Sequence, residues 1–331
     1  MSVRTGIGCG LLVKHLKGNL DRTIADIKAL RIQGARNVAR SAMRAMAAQA
    51  RNSKAKTATA LMAELASSAD ALAASRPTEP MMRNSLSEAL RYFFSKIIKN
   101  KKMTVAELKK TVAQSAASFE QEFAHSQEAI AEFGAKELPK GSTVLTHCHS
   151  STVTSILKRA HRMGKRISAI CCETRPLYQG RITAKELSSA GIPTTLIVDS
   201  AARAFMREAD LVLVGADAIT SSGELVNKIG TSMVAFLAYE EEIKLYSAAE
   251  LYKFDPLTLW GKVGRIEERA ASEVADPKFF PKVKIRNPAF DLTPAKHITA
   301  YITEHGVVAP GSLLALASRH FDLRNPMLKN K

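Results

Sequence analysis

The chain has 331 residues, of which 46% are hydrophobic and 24% charged, with a mean hydropathy of −0.07; that is enough for one large domain or two. Its longest apolar runs, such as Leu211 to Val214 and Ile167 to Cys172, are far too short to cross a bilayer, and the N-terminus lacks the apolar segment of a secretory signal, so a cytoplasmic protein without membrane contact is expected. The net charge of +17 is uneven, with 23 Lys and Arg against 12 Asp and Glu in residues 1–140 and 25 against 19 beyond; runs such as Lys99-Asn-Lys-Lys102 carry no interleaved aromatics, which argues against a nucleic-acid interface and for a solvated surface that focuses an anionic substrate.

From Asn19 to about Phe133 the chain is rich in Ala, Leu, Met, Lys and Glu, and apolar residues recur every three or four positions. That rhythm predicts amphipathic helices packed together. Thr78-Glu-Pro80 supplies a cap and a first-turn proline, and Thr104-Val-Ala-Glu107 has the spacing of a capping box. The stretch Gly134 to Gly141, with Pro139, breaks the pattern and divides a helical domain, residues 1–138, from an α/β domain, residues 139–331. In the second part short β-rich runs alternate with helical segments: Ser142 to Thr146, Ile167 to Cys172, Thr194 to Val198, Leu211 to Val214, Ile243 to Tyr246 and Lys282 to Ile285. The expected fold is therefore α/β, an N-terminal helical domain followed by a Rossmann-like parallel sheet. Right-handed crossovers would bring the turns after these strands to one edge.

The segments that carry chemistry fall on those turns. In Thr146-His-Cys-His-Ser-Ser-Thr152 a cysteine stands between two histidines where a strand becomes a helix. A helix N-terminus there would leave the Cys148 thiol partly ionised and reactive, although many free cysteines are merely buried hydrophobes. His147, Cys148 and His149 lack a second ligand cluster at metal-like spacing, so no metal is expected. The four cysteines, Cys9, Cys148, Cys171 and Cys172, form no regular framework, and reduced thiols are expected. Asp217 in Gly215-Ala-Asp-Ala-Ile-Thr220 reads equally as a cap or as a general acid held in the crevice. Asn227-Lys-Ile-Gly-Thr231 offers a lysine, a glycine and a helix start suited to phosphate. Its spacing matches neither a Walker loop nor a dinucleotide fingerprint.

Together with Glu173-Thr-Arg-Pro-Leu-Tyr-Gln-Gly180, Asp199-Ser-Ala-Ala-Arg203 and Asn287-Pro-Ala-Phe-Asp-Leu-Thr-Pro294, these strings resemble one family. It contains ribose-1,5-bisphosphate isomerases, methylthioribose-1-phosphate isomerases and the regulatory alpha, beta and delta subunits of the initiation-factor-two exchange factor. The resemblance covers nearly the whole chain and is strongest from Val144 to Glu304. Its cysteine points to the enzymes, since the regulatory subunits generally lack one. The resemblance implies Cys148 as catalytic base and Asp217 as catalytic acid. It implies substrate contacts from the loop Gln33, Gly34, Ala35 and Arg36, from Arg76, from Ser150, Ser151 and Thr152, from Asn227 and Lys228, and from Lys253. Gln33 stands where the family loop carries arginine, and Ser151 where the nearest relatives carry lysine; Arg31 or Arg36 would have to substitute.

The implied reaction is an aldose-ketose isomerisation of ribose 1,5-bisphosphate to ribulose 1,5-bisphosphate in nucleotide salvage. It would need no metal or redox cofactor, and AMP would serve as an activator. The alternatives are a non-catalytic regulatory subunit and an isomerase of another aldose 1-phosphate, such as methylthioribose 1-phosphate. The implied partner is a second copy of the chain, with dimers building a hexamer.

Overall fold

Among the described residues five helices come first, as the apolar rhythm requires: α1 (Leu20–Lys28), α2 (Ala35–Asn52), α3 (Ala58–Ser75), α4 (Pro80–Lys99) and α5 (Val105–Glu137). The structure is a computed structural model describing residues 20–261, 264, 266–321 and 323, and Cys9 lies outside the described residues. Ile27, Val38, Leu65, Leu72, Met81 and Phe93 are fully buried in the core these helices share. α5 opens on the expected capping box, with Glu107 N donating to Thr104 Oγ1 at 3.2 Å and Thr104 N donating to Glu107 Oε2 at 2.7 Å. At α4 the expectation is half right. Pro80 occupies the first turn, but Glu79 and not Thr78 stands at the cap, and its side chain caps nothing; the carboxylate turns inward towards Arg76, 3.2 Å away. α5 also runs on through Gly134, which sequence places in a break. A Cβ there would lie 2.6 Å from Ile156 Cδ1, so this glycine serves the close approach of two helices and does not interrupt one.

From Thr143 the period shortens and the architecture follows: β1 (Thr143–His147), α6 (Ser151–Arg162), β2 (Ser168–Cys172), α7 (Gln179–Ser189), β3 (Thr194–Ile197), α8 (Ala202–Met206), β4 (Leu211–Val214), β5 (Ala218–Ile219), β6 (Leu225–Lys228), α9 (Thr231–Glu240), β7 (Lys244–Ala248), β8 (Phe290–Thr293), β9 (Ala300–Thr303), β10 (Gly306–Val308) and α10 (Leu313–His320). The large sheet has the order β10-β9-β7-β4-β1-β2-β3 and is parallel except for β10. Strand β4, Leu-Val-Leu-Val, is buried along its whole length, which suits a strand covered on both faces. β5, β6 and β8 form a small antiparallel sheet beside it. Chain order reverses at β1, which has β2 on one side and β4 on the other, so the turns after β1 and β4 flank the crevice in which such sheets hold ligands.

Lys282 to Ile285 is not a strand. Lys282, Val283 and Lys284 face solvent, with Val283 60% exposed, Ile285 is half-buried, and among the described residues no strand pairs with this segment. Ala300–Thr303, buried throughout, takes the place beside β7. Among the described residues no helix is long and apolar enough to cross a membrane.

Just after β9, Glu304 accepts the Leu251 N–H at 3.1 Å on both oxygens. Burial pushes its carboxyl up to about 7, with Glu250 and Glu122 adding to the rise and the backbone N–H groups opposing it. Because the folded protein holds this proton more tightly than the unfolded chain, stability is gained as pH falls from about 7 towards the ordinary value of 4.5 and is lost above it. Glu304→Gln is accordingly expected to stabilise by about 1–3 kcal/mol at pH 8, an advantage that vanishes near pH 5. Thermal unfolding at the two pH values checks this; equal melting temperatures at pH 8 would refute it.

Candidate active site

The thirteen residues implied by the resemblance line one cavity of about 620 Å3: Gln33, Gly34, Ala35 and Arg36 from the start of α2, Arg76 after α3, Cys148, Ser150, Ser151 and Thr152 between β1 and α6, Asp217 after β4, Asn227 and Lys228 at the end of β6, and Lys253 after β7. The helical half and the sheet half thus each supply a wall. Arg31, offered as a substitute cation, bonds Asp26 instead and does not reach the cavity; Arg36 does.

Cys148 sits directly past β1 with φ 70°, a left-handed conformation unusual for a residue with a side chain. Two threonines hold it there. Cys148 N donates to Thr174 Oγ1 at 2.8 Å, and Thr183 Oγ1 donates to Cys148 O at 3.0 Å. Since the Thr183 proton is spent on that carbonyl, His149 Nδ1, 3.0 Å from Thr183 Oγ1, must be the donor in their bond. Strain held by surrounding bonds in this way fixes Cys148 in the cavity lining.

The thiol is not partly ionised, contrary to the sequence expectation. Burial pushes it up to about 12; Lys228 pulls it down, while Asp217 and Asp199 add to the rise. Desolvation of the charged form outweighs the helix N-terminus that the sequence made conspicuous. The phosphate reading of Asn227-Lys-Ile-Gly-Thr231 also changes. Asp291 Oδ2 accepts Gly230 N at 2.7 Å and Ser232 N at 3.1 Å, so the start of α9 already has its anion. Asn227 turns to Thr231, donating to its Oγ1 at 3.0 Å. The helix starts that open on the cavity belong to α2, α6 and α7.

Six cations line the cavity: Arg36, Arg40, Arg76, Lys228, Lys253 and Arg269. Sequence reading missed Arg40 and Arg269. Arg40 was accessible, lying four residues beyond Arg36 on the same helical face; Arg269 falls in irregular chain with no local signal. Most of these charges are tethered. Arg36 Nη2 bonds Thr152 Oγ1 at 3.1 Å, and Arg36 and Lys253 share the buried carboxylate of Glu250, Lys253 at 3.3 Å. Although burial alone would raise the Glu250 carboxyl, Lys253 and Arg36 hold it down at about 2. Arg40 bonds Glu120 at 2.5 Å, and Arg269 bonds Glu273 at 2.5 Å. Among the described residues Lys228 makes no ion pair; its Nζ lies 5.2 Å from the Phe290 ring centroid.

One group of metal-ligating side chains lies at the cavity wall, which His147 itself lines, where ligand atoms of His147, Cys172 and Asp199 fall within 4.8 Å of one another. Each is committed elsewhere or kept neutral. Asp199 accepts Thr174 N at 2.8 Å and Arg175 N at 2.7 Å, burial pushes the Cys172 thiol up to about 12, and burial drives the His147 imidazole towards its neutral form, donating to Ile229 O at 2.9 Å.

A model of the initiation factor 2 subunit family matches residues 31–310. The chain belongs to this family. A ribose 1,5-bisphosphate isomerase from Pyrococcus furiosus is 40% identical over 301 residues, covering 89% of this chain and 92% of the relative. One from Methanocaldococcus jannaschii is 40% identical over 304 residues, covering 91% and 95%. Among solved structures, a 5-methylthioribose 1-phosphate isomerase from Pyrococcus horikoshii superposes with a TM-score of 0.73 at 30% identity, covering 92% of this chain and 88% of that one. Relatives within the initiation factor 2 subunit family are thus named for different sugar phosphates.

Proposed function

We propose that this chain is an aldose-ketose isomerase that converts ribose 1,5-bisphosphate to ribulose 1,5-bisphosphate. The observation that carries the reading is the placement of Cys148 and Asp217 on the two sides of the chain reversal, inside a cavity lined by six cations. Archaeal relatives of that name, alike over nine-tenths of the chain, support it. A bisphosphate brings up to four negative charges, and the cation count suits it better than it suits a monophosphate. Arg36 and Arg40 supply what Gln33 and Ser151 do not.

An aldose 1-phosphate cannot enolise while its anomeric carbon is locked in the ring. In the proposed mechanism Asp217 gives a proton to the ring oxygen and the bond from C1 to that oxygen breaks, leaving C1 doubly bonded to its phosphate-bearing oxygen. Cys148, as thiolate, removes the C2 proton and yields the enol phosphate. The thiol then returns its proton to C1 while the C2 hydroxyl gives its own to Asp217, so that both residues recover their starting states and C2 becomes the ketone. Lys228 lowers the Cys148 thiol and so offsets part of the burial that withholds the thiolate.

The proposal extends to a cytoplasmic homo-oligomer of dimers, up to a hexamer, that works by proton transfer without metal or redox cofactor and takes AMP as activator. Met233, Phe236 and Tyr239, exposed in succession along α9, support pairing through the sheet half. The second reading, methylthioribose 1-phosphate as substrate, is favoured by Gln33 and Ser151, which bring no charge. Incubating the purified protein with each sugar phosphate, with and without AMP, separates them. Ribulose 1,5-bisphosphate is expected to form with kcat/KM at least about tenfold above that for the monophosphate, the value of one well-placed charged contact. No product from either sugar would leave the regulatory-subunit reading in its place.

A further inference from the structure

Glu79 is an ionisable group beneath the cavity that the proposed chemistry leaves unused. It is 1% exposed, its side chain caps no helix, and neither carboxylate oxygen receives a hydrogen bond among the described residues. Its one close charge is Arg76, whose Nη1 lies 3.2 Å from Oε1. Arg76 lines the cavity, and its own Nε and Nη1 also lack hydrogen-bond acceptors. Arg76 also faces Glu267, with Nε 3.8 Å from Oε2, and the buried arginine and glutamate keep bonding capacity to spare at the cavity.

The charged groups facing Glu79 come from four parts of the fold: Arg76 after α3, Asp217 after β4, Lys253 after β7 and Glu267 in the chain before β8. Burial pushes the Glu79 carboxyl up to about 7; Arg76 and Lys253 oppose this, and Asp217 and Glu267 add to it. Near neutral pH the side chain therefore stands between its two states.

We propose that Glu79 is a positioning residue that takes up a proton when phosphate engages Arg76, coupling substrate affinity to pH. The inference rests on the reading of this cavity as a sugar-phosphate site. While ionised, Glu79 neutralises Arg76 from below and repels an arriving dianion. Once protonated it does neither, and the guanidinium, left with the longer contact to Glu267 at 3.8 Å, has donors to spare for phosphate. Linkage makes the effect mutual, since an anion on Arg76 raises the proton affinity of Glu79 by the factor by which the proton raises anion affinity.

Sulfate is a suitable probe because it stays dianionic across the neutral range, so any pH dependence of its binding comes from the protein. In the wild-type protein the affinity for sulfate, read as competitive inhibition of the isomerase and by calorimetry, should fall about fivefold from pH 6 to pH 8, for a bound-state shift of about one unit. Glu79→Gln should abolish that fall and keep the low-pH affinity throughout. For ribose 1,5-bisphosphate the change should appear in KM and not in kcat. Glu79→Met, also unable to titrate, replaces the glutamine variant if that one does not fold. Sulfate affinity independent of pH in the wild type, or a pH profile unchanged by either substitution, overturns the proposal. Absence of sugar-phosphate turnover in the wild type would instead overturn the parent reading, while direct calorimetric titration with sulfate still decides the role of Glu79.

Discussion

Cys148→Ser is expected to lower kcat by about 10³- to 10⁴-fold and to leave sugar-phosphate affinity within a few-fold of wild type. Serine keeps the shape and the backbone bonds to Thr174 and Thr183, so the loop stays where it is. What it loses is the ability to become an anion, because an alcohol gives up its proton far less readily than a thiol. Asp217→Asn should be comparably severe, since the amide keeps the volume but cannot deliver a proton to the ring oxygen. The structure adds a signature that the sequence does not suggest. With the Cys148 thiol held up to about 12, the thiolate is scarce at neutral pH, so a group that eases its formation should weigh on kcat. Lys228 opposes the burial, so removing it should depress kcat more than affinity. Steady-state kinetics with calorimetric binding separates the two effects. Near-normal turnover in Cys148→Ser or Asp217→Asn would remove that residue from the mechanism.

Much of this was legible in the sequence, and the parts that were not share a cause. Five strands and the capping box at Thr104 could be read because short-range patterns fix them. The site residues could be listed because each lies in a string that resembles the family's; Arg76 and Lys253 carry no signal of their own. The energies at the site could not be read in this way. The ionisation of Cys148 depends on how deeply α6, α7 and β4 enclose it, which is a sum over residues distant in the chain. The same holds for the start of α9. Nothing near Gly230 shows that Asp291, sixty-one residues on, occupies it. Glu250 shows the limit from the other side: a carboxylate beside Lys253 looks like an ordinary i,i+3 surface pair, and only the arrival of Arg36 from the helical half makes it a buried three-member cluster. Lys282 to Ile285 fails for a related reason, since alternation predicts a strand only where a neighbouring edge is available.

Gly180→Ala sets a local rule directly against a distant contact. The residue is the second of α7, where helix propensity alone favours alanine by about 1 kcal/mol. Its Cα, however, lies under the carbonyl that ends β2. An added Cβ would fall 1.7 Å from Cys172 O and 2.8 Å from Cys172 C, atoms of a paired strand that cannot rotate away. To admit the methyl group, α7 must withdraw from β2, lengthening the Gly180 N to Glu173 O bond from its 3.1 Å. Thr183 moves with the helix. That residue both fixes the Cys148 carbonyl and accepts from His149, so the strained loop loses one of its two restraints. We expect a loss of about 3–5 kcal/mol in stability, together with a fall in kcat larger than the fall in substrate affinity. Urea unfolding measures the first and steady-state kinetics on the folded fraction the second. A variant as stable as wild type would mean that propensity wins at this position, and that the threonine support of Cys148 does not depend on the docking of α7 against β2.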